Sequence, residues 1–260
     1  MFIRFTLASV LMGAIFCRRL GRMSWVIARR GSIVGLALCA ANLSFVIGVS
    51  GTTVSRAGFL NNLFVLLIPL ICYVFWREKV DRWSLAGIGL ALIGLWQLAR
   101  GGAAGFTTGD IYSTVCALFI ALHIILVSRV LKDEDVLLVT LVQFITVALV
   151  GGLLHAILPG QEFRLTPTAL GSLAYCAIFP TIICFTLQNT YQRYKTPTQA
   201  GLIYTLDPVW SMLGGMLILG ERLSRGEWLG CGLIFAAVVV PMAAKRLRER
   251  RLGVGYRDLS

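Results

Sequence analysis

Charged residues are scarce in this chain, and acidic residues are the scarcest. Only 14% of the 260 residues are charged, and 24 Lys and Arg outnumber 12 Asp and Glu. Soluble domains typically carry about 25% charged residues and 45 to 50% apolar ones. This chain is 57% apolar, so its side chains call for lipid rather than water as a solvent. The composition therefore predicts an integral membrane protein and argues against a soluble domain.

The sequence also lacks the patterns that build metal sites and enzyme active sites. Its seven cysteines lie in or at the ends of apolar runs without any CxxC pair, and its two histidines, His123 and His155, stand apart. A zinc site or a disulfide framework is not expected from such spacing. Catalysis would require nucleophiles, bases or metal ligands within reach of one another. We therefore expect no enzyme, no metal and no cofactor.

A nucleic-acid-binding pattern is missing as well, despite a net charge of +12. The Lys and Arg residues lie in short gaps between apolar runs and in the tail from Lys245 to Arg251, without interleaved aromatic residues. Such a distribution is typical of membrane topology signals rather than of a nucleic-acid surface. No nucleic acid is expected among the partners of this chain.

What the sequence does contain is a series of continuously apolar runs. Each is about long enough to cross the hydrocarbon core of a bilayer, and the absence of alternation predicts helices rather than a barrel. The first run ends in Arg18 and Arg19 rather than in a cleavage site, so it is interpreted as a retained span. The nine predicted spans are 2–17, 31–50, 57–76, 83–99, 110–128, 136–158, 168–190, 198–219 and 227–244.

The basic residues distribute unequally between the two sides of the membrane. With the loop after the first span inside, 18 of the 24 Lys and Arg lie on the cytoplasmic side. Because positively charged loops stay in the cytoplasm, this asymmetry predicts a cytoplasmic C-terminus in a cell membrane, plasma or inner. An odd number of helices then places the N-terminus outside.

An internal repeat is the most informative feature of the sequence. A shift of 143 residues lays the stretch from Thr53 over the stretch from Thr196. Under the charge-based topology the two copies have opposite orientations, an arrangement that recurs in transporters. The matched pairs are Ala57 with Ala200, Gly58 with Gly201, Leu63 with Leu206, Glu78 with Glu221, Arg82 with Arg225, Gly87 with Gly230 and Gly89 with Gly232.

These repeated segments resemble a known family. The stretches TVSRAGFLNNLFVLLIPLICYVFWREK at 53–79 and TPTQAGLIYTLDPVWSMLGGMLILGERLS at 196–224 are similar to the two repeat copies of EamA-like members of the drug/metabolite transporter superfamily. The resemblance implies an all-α membrane fold of ten helices, five plus five, in an inverted repeat. The segment RFTLASVLM resembles the second helix, so about nine helices are expected here and the first of the ten is missing.

The resemblance also implies an organisation and a function. We expect a first repeat of four helices at 1–100, a second of five helices at 101–246 and a basic cytoplasmic tail at 247–260. The implied function is an alternating-access secondary transporter that exports amino acids or similar small polar metabolites. A truncated or accessory membrane protein is the alternative. The expected partners are a small-molecule substrate and the bilayer, with a second copy of the chain as a further candidate.

Asp207 is the acidic residue that the sequence places well inside an apolar run. A charge in the bilayer costs at least about 2.5 to 3.5 kcal/mol, so such residues generally face a cavity or a partner. Helical spacing puts Tyr204 and Ser211 on the same face, and Pro208 deprives the carbonyl of Tyr204 of its usual donor. Asp207 is thus a candidate for substrate contact or proton coupling, with a structural carboxylate as the alternative.

Other polar and aromatic residues in the spans are weaker candidates. Asn61 and Asn62 occupy the repeat positions of Tyr204 and Thr205, and they either bind substrate or join helices. His123 is a candidate proton relay, although a packed imidazole is the simpler interpretation. Glu78 and Glu221, at matching helix ends, are either caps or gate ion pairs. The remaining cavity candidates are Asn42, Phe45, Thr181, Gln188 and Trp210.

Overall fold

A computed structural model describes residues 1–99, 107–157, 166–219 and 224–251. Their regular secondary structure is helical throughout and includes a 3₁₀ turn at Cys17–Arg22 and a π-helical segment at Ala177–Ile183. The α-helices in chain order are α1 (Phe2–Ile15), α2 (Trp25–Gly51), α3 (Val54–Asn62), α4 (Phe64–Trp76), α5 (Arg82–Ala99), α6 (Thr108–Val130), α7 (Val136–Ile157), α8 (Pro167–Cys176), α9 (Cys184–Gln192), α10 (Pro197–Tyr204), α11 (Asp207–Leu219) and α12 (Arg225–Arg251).

The described residues form eight helical segments that are long and apolar enough to span a membrane. The shorter apolar helix α1, of 14 residues, precedes them. Three of the spans are interrupted helices: α3 with α4, α8 with the π-helical segment and α9, and α10 with α11. Helices satisfy their own backbone donors and acceptors, which is why apolar runs of this length fold in this way in lipid. The prediction of an all-α, multi-pass membrane fold is confirmed.

The helix boundaries repeat at the spacing found in the sequence. Adding 143 to the first residues of α3, α4 and α5, at 54, 64 and 82, gives 197, 207 and 225, where α10, α11 and α12 begin. The same shift places α2 on the segment formed by α8, the π-helical segment and α9, and it places α1 on α7. Sequence similarity and helix boundaries thus describe the same pairs of equivalent elements.

The chain divides into two compact units. The first unit comprises Met1–Ser44 and Leu122–Thr196, and the second comprises Phe45–Ala121 and Pro197–Ser260. Helices α2 and α6 each begin in one unit and end in the other. Each unit contains elements from both repeat copies, since α1 and α7 belong to the first unit whereas α5 and α12 belong to the second. The repeat copies therefore interleave rather than fold as separate bodies.

In the first unit, α1 packs along α7. The Phe5 and Phe144 rings meet edge to face with centroids 5.7 Å apart, and both side chains are completely buried. Near the C-terminal end of α7, Gly152 leaves space for the Phe2 ring, because a Cβ there would lie 2.9 Å from that ring. Residue numbers therefore rise along α1 as they fall along α7. These two equivalent helices are antiparallel.

In the second unit, α5 and α12 form the most extensive helix pair. A Cβ at Gly87 would lie 2.6 Å from the carbonyl oxygen of Ala237, and a Cβ at Gly94 would lie 2.8 Å from that of Gly230. The 143-residue shift carries Gly87 to Gly230 and Gly94 to Ala237. Each contact is therefore the repeat equivalent of the other, with the roles of α5 and α12 exchanged. Small residues permit such close backbone approach. This approximate twofold, antiparallel relation is what an inverted repeat predicts.

Equivalent capping residues begin these two helices. Asp81 accepts hydrogen bonds at Oδ1 from the backbone N–H groups of Trp83 and Ser84, at 3.0 and 3.1 Å, at the start of α5. The equivalent position before α12 is Ser224, whose hydroxyl accepts from the Glu227 N–H at 3.3 Å while Glu227 accepts from the Ser224 N–H at 2.7 Å. This reciprocal pair is a capping box. Both caps satisfy helix donors that would otherwise lack a partner.

Candidate functional site

Two equivalent helices of the second unit are interrupted at the same repeat position. The first break lies at Leu63, whose N–H donates to the carbonyl of Leu60 at 3.1 Å. The second lies at Thr205 and Leu206, where the Leu206 N–H donates to the carbonyl of Ile203 at 3.1 Å. Both bonds reach back three residues instead of four, so the helix tightens before it restarts. Leu63 and Leu206 are 143 residues apart.

Pro208 explains the break between α10 and α11. Proline has no N–H to donate to the carbonyl of Tyr204, and its ring crowds the preceding turn. The Thr205 hydroxyl donates to the carbonyl of Leu202 at 2.6 Å and so bonds the last turn of α10. In the first copy, the side-chain amide of Asn62 donates to the carbonyl of Gly58 at 2.8 Å. Different residues therefore accompany the interruption in the two copies.

Asp207 is the first residue of α11, and its side chain is exposed. The neighbouring side chains Leu206 and Val209 turn the other way, into an apolar cluster with Leu95 and Ile234. An exposed carboxylate within a membrane span must face water or a polar partner, because contact with lipid tails is too costly. The position is therefore suited to a hydrated pathway.

The residues that follow Asp207 on the same face of α11 are also exposed. Trp210 is 63% exposed, Ser211 is also exposed, and a Cβ at Gly214 would have no neighbour within 4 Å. Ala200, which continuous helical spacing would put on this face, is buried instead. The interruption changes the phase of the helix between α10 and α11, and spacing alone does not reveal this change. Tyr204, at the end of α10, is half-buried.

Asn61 and Asn62 are both buried, but their environments differ. Asn62 uses its amide within its own helix through the bond to Gly58. The side-chain oxygen of Asn61 has no partner among the described residues. A buried acceptor of this kind usually binds water or another group. Of the two asparagines, Asn61 is therefore the one whose side-chain oxygen is available to a ligand or water. Phe45, another candidate in the same unit, is 47% exposed.

The candidates of the first unit lie in different surroundings. Asn42 accepts from Arg4 at 3.3 Å, and its own amide donates to the carbonyl of Leu38 at 2.9 Å. Thr181 is completely buried in the π-helical segment, and its hydroxyl donates to the carbonyl of Cys176 at 2.8 Å. The half-buried Gln188 donates to Gln192 across a long contact of 3.5 Å. π-Helical turns occur frequently at functional sites.

His123 belongs to a buried polar cluster that the sequence analysis missed. Its Nε2 lies 3.4 Å from Oε1 of Gln143, and its ring meets Phe185 edge to face. Helix α9 contributes Asn189, which donates to the Thr140 hydroxyl at 2.8 Å, and Gln192, which donates to the carbonyl of Ile124 at 2.7 Å. The spacing of Asn189 and Gln192 in an apolar region was the available signal, because residues three apart share a helix face.

Asp110, at the start of α6, is a second site that the sequence analysis did not single out. Its carboxylate is completely buried and lies 2.8 Å from the guanidinium of Arg56. The Thr52 hydroxyl and the Thr107 N–H also donate to it, at 2.8 and 2.7 Å. It therefore joins the end of α2, the start of α3 and the cap of α6. The Thr107-x-x-Asp110 spacing was its signal in the sequence.

Of the two helix-end glutamates, Glu78 lies within the described residues. Glu78 is exposed just beyond α4, where Arg77 adopts a left-handed conformation with φ of 53°. The repeat position of Arg77 is occupied by Gly220, a residue type suited to positive φ. Glu221 lies outside the described residues, as do residues 252–260 of the predicted basic tail. Across the described ranges, no three His, Cys, Asp or Glu side chains come together as a possible metal site.

Comparisons with known proteins agree with this architecture. The sequence matches the family model described as the EamA-like transporter family over residues 1–100 and 107–242. A protein of Archaeoglobus fulgidus named an uncharacterized transporter is 27% identical over 210 residues, which cover 81% of this chain and 67% of that protein. The uncharacterized inner membrane transporter YedA of Escherichia coli K12 is 27% identical over 189 residues, or 70% of this chain and 61% of that protein.

A solved crystal structure extends the agreement to the fold. It superimposes with a TM-score of 0.76 at 21% sequence identity, and the match covers 95% of this chain and 88% of that one. At this level of identity the likeness concerns the fold alone. The chain spans 67% of the length of the first of the two named relatives and 61% of the second.

Proposed function

The chain belongs to the EamA-like transporter family and is a multi-pass membrane transporter, and we propose that it moves amino acids or similar small polar metabolites by alternating access. In this mechanism, a site between inverted repeats opens first to one side of the membrane and then to the other. Export is the direction that we propose. The activity is that of a carrier rather than of an enzyme.

The antiparallel pairs of equivalent helices support this mechanism. Helices α1 and α7 are antiparallel in the first unit, and α5 and α12 are antiparallel in the second. Two repeat copies with opposite orientations give a chain two conformations of similar energy, each open to a different side of the membrane. The approximate twofold exchange of contacts between α5 and α12 is consistent with such a pair of conformations.

The observation that carries the proposed site is the pair of matching helix breaks. Interrupted helices at corresponding repeat positions are the usual location of transporter substrate sites, because they free backbone groups and expose helix ends. Here the breaks lie at Leu63 and at Thr205–Leu206, beside the acceptor of Asn61 and the exposed carboxylate of Asp207. We assign Asp207 to the amine of a substrate or to a coupled proton. Tyr204, Trp210 and Ser211 complete this side of the pathway.

The test is transport by the purified chain in proteoliposomes, with radiolabelled amino acids as the first probes. Asp207→Asn keeps the size and polarity of the side chain but removes its charge. We expect it to lower the initial rate by about tenfold, the equivalent of about 1.4 kcal/mol in the barrier, or to abolish the pH dependence of the rate. Glu134→Gln is the matched control, because Glu134 is paired with Arg30 at a helix end.

The outcomes of this assay separate the alternatives. Unchanged rate and pH profile in Asp207→Asn, with a wild-type Glu134→Gln, would remove Asp207 from the mechanism. A pH profile that changes in His123→Gln but not in Asp207→Asn would transfer proton coupling to His123. No flux of any probe by the folded wild-type chain would favour the accessory membrane protein instead.

The orientation in the membrane is part of the proposal. With the C-terminus in the cytoplasm, 18 of the 24 Lys and Arg residues lie on the cytoplasmic side. Arg19 and Arg30 on that side pair with Asp135 and Glu134, at 3.0 and 2.7 Å. YedA is named an inner membrane protein, and we propose the corresponding cell membrane for this chain.

A further inference from the structure

Several helix ends of the first unit meet at a surface rich in Lys and Arg. Nη1 of Arg19, in the 3₁₀ turn before α2, lies 3.0 Å from Oδ2 of Asp135. Nη1 of Arg30, near the start of α2, lies 2.7 Å from Oε1 of Glu134. Both carboxylates belong to the short connection between α6 and α7. The start of α2 therefore lies beside the end of α6 and the start of α7.

The end of α9 reaches the same surface. Its last residue, Gln192, donates to the carbonyl of Ile124 at 2.7 Å and to the hydroxyl of Ser128 at 3.0 Å, both in the second half of α6. We refer to this surface as the basic end of the first unit, because its nine Lys and Arg outnumber its three Asp and Glu. The basic residues are Arg18, Arg19, Arg22, Arg29, Arg30, Arg129, Lys132, Arg193 and Lys195, and the acidic ones are Asp133, Glu134 and Asp135.

The opposite ends of these helices are remote from the basic end. Helix α7 has 22 residues, so its last residue, Ile157, lies about 32 Å away. The remaining acidic residue of the unit, Glu162, is outside the described residues and follows that distant helix end in the sequence. Met1 precedes α1, whose 14 residues span about 20 Å before the 3₁₀ turn. The positive excess of the basic end is therefore a property of its own residues.

Exposed apolar side chains accompany this charge. Side chains three residues apart are eclipsed in a 3₁₀ turn, so Leu20 and Met23 lie together, and they are 40% and 36% exposed. Trp25, the first residue of α2, is 80% exposed, and Arg29 is exposed one turn later on the same face. Tryptophan and apolar side chains at the end of a membrane span, mixed with cations, are typical of the membrane–water interface.

We infer that the basic end binds the headgroup of an anionic phospholipid, a role separate from solute transport. A guanidinium pairs well with the oxygens of a phosphate group, and Arg18, Arg22 and Arg29 are exposed around Trp25. Clusters of Lys and Arg beside a membrane span attract anionic lipids, each residue contributing about fivefold in affinity. A soluble anion would leave Leu20 and Trp25 in water, whereas a lipid covers them while its headgroup meets the arginines.

The test is photo-crosslinking of the full chain in phosphatidylcholine vesicles that contain a trace of photoactivatable phosphatidylglycerol. Peptide mass spectrometry measures the cross-link yield on residues 17–30, and photoactivatable phosphatidylcholine is the neutral comparison. We expect phosphatidylglycerol to give the higher yield. The triple variant Arg18→Gln, Arg22→Gln and Arg29→Gln should lower that yield at least about tenfold and leave the phosphatidylcholine yield unchanged.

The matched control removes the same charge from the second unit. Arg77→Gln, Lys79→Gln and Arg82→Gln together should leave the yield on residues 17–30 unchanged. Replacing Arg18, Arg22 and Arg29 by Lys keeps the charge and should retain most of the binding. In the wild type, raising NaCl from 0.1 to 1 M shortens the screening length from about 10 to about 3 Å, so the phosphatidylglycerol yield should fall.

Several outcomes would overturn the inference. Equal yields from the two lipids, or no effect of salt on the wild type, would show that charge does not select the lipid. An equal loss in the control would mean that total charge, rather than the basic end, is responsible. Competition by inorganic phosphate at matched ionic strength would assign the surface to a soluble anion instead. Because cross-linking requires no flux, each result is independent of transport.

Discussion

Two aspartates at helix starts, Asp110 and Asp207, illustrate how tertiary contacts decide the role of a residue. Asp110, in the first turn of α6, is completely buried with a cation and two further donors around it. Asp207 begins α11 with its side chain exposed. In lipid a buried, fully bonded carboxylate serves structure, whereas an exposed one requires water or a ligand. The hydropathy pattern of the sequence indicated Asp207 as a candidate and did not indicate Asp110.

Removal of the Asp110 charge should destabilise the protein strongly. Asp110→Asn would leave Arg56 without its carboxylate partner, and loss of one member of a buried pair costs about 3 to 5 kcal/mol. We expect a loss near the lower value, because the Arg56 side chain is 24% exposed. Thermal unfolding in detergent measures the effect.

The control for this prediction is the pair between Arg30 and Glu134. Its N–O distance of 2.7 Å is just as short, but its side chains are 40% and 14% exposed. Glu134→Gln should therefore cost at most about 1 kcal/mol. Equal losses in Asp110→Asn and Glu134→Gln would show that the burial of Asp110 does not determine its contribution.

The cap residue Asp81 should give stability a pH-dependent component. Burial alone would raise the pKa of Asp81, but hydrogen bonds from the Ser84 hydroxyl and from the Ser84 and Trp83 N–H groups outweigh it and lower the pKa. The stabilisation is then complete above the unfolded-state pKa of about 3.9 and is lost as pH falls through the lower folded-state pKa. Asp81→Ala should cost about 1 kcal/mol near neutral pH.

Melting temperatures of wild type and Asp81→Ala between pH 3 and pH 7 test this linkage. The difference between the two proteins should shrink at the acidic end. Ser224→Ala, at the equivalent cap, removes a hydroxyl that does not titrate in this range, so its effect should be independent of pH. A constant difference for Asp81→Ala as well would disprove the assignment to its carboxylate.

At the level of helices, close packing depends on glycines that meet a backbone. A Cβ at Gly94 would lie 2.7 Å from Cγ1 of Ile234 and 2.8 Å from the carbonyl oxygen of Gly230. A Cβ at Gly89, in the same helix, would meet nothing within 4 Å. Both residues look alike in the sequence. Only the packing of α12 against α5 distinguishes them.

The corresponding substitutions should therefore have opposite effects. Gly94→Ala forces α5 and α12 apart and should cost about 1 to 3 kcal/mol. Gly89→Ala meets no obstacle and improves helix propensity, so it should be neutral or stabilising by up to about 1 kcal/mol. Thermal unfolding of both variants in the same detergent provides the comparison. A similar loss in each would mean that the close approach of the two helices does not limit stability.

At the level of the whole molecule, the inverted repeat predicts opposite sides for equivalent loops. Glu78 and Glu221 occupy the same repeat position, 143 residues apart. A membrane-impermeant maleimide should label Glu78→Cys only in inside-out vesicles and Glu221→Cys only in intact cells, with native cysteines distinguished by peptide mass. Labelling of both from one side would mean that the two copies have the same orientation in the membrane.

The amino-acid sequence by itself determined the helices, the repeat and the class of protein. Apolar runs force helices in lipid because each helix satisfies its own backbone hydrogen bonds. The 143-residue shift found in the sequence coincides with the boundaries of α3 to α5 and α10 to α12. These features depend on local composition and order, so they are visible without a structure.

Only the tertiary structure decided which polar residues are satisfied and which remain open. Asn62 bonds within its own helix, while the side-chain oxygen of Asn61 has no partner in the described part of the chain. The break at Pro208 shifts Ala200 away from the face of Asp207. The Arg4 guanidinium likewise finds a hydrogen-bond acceptor in Asn42, 38 residues away. The free energy of a buried polar group is set by partners distant in sequence, and neither hydropathy nor periodicity contains that information.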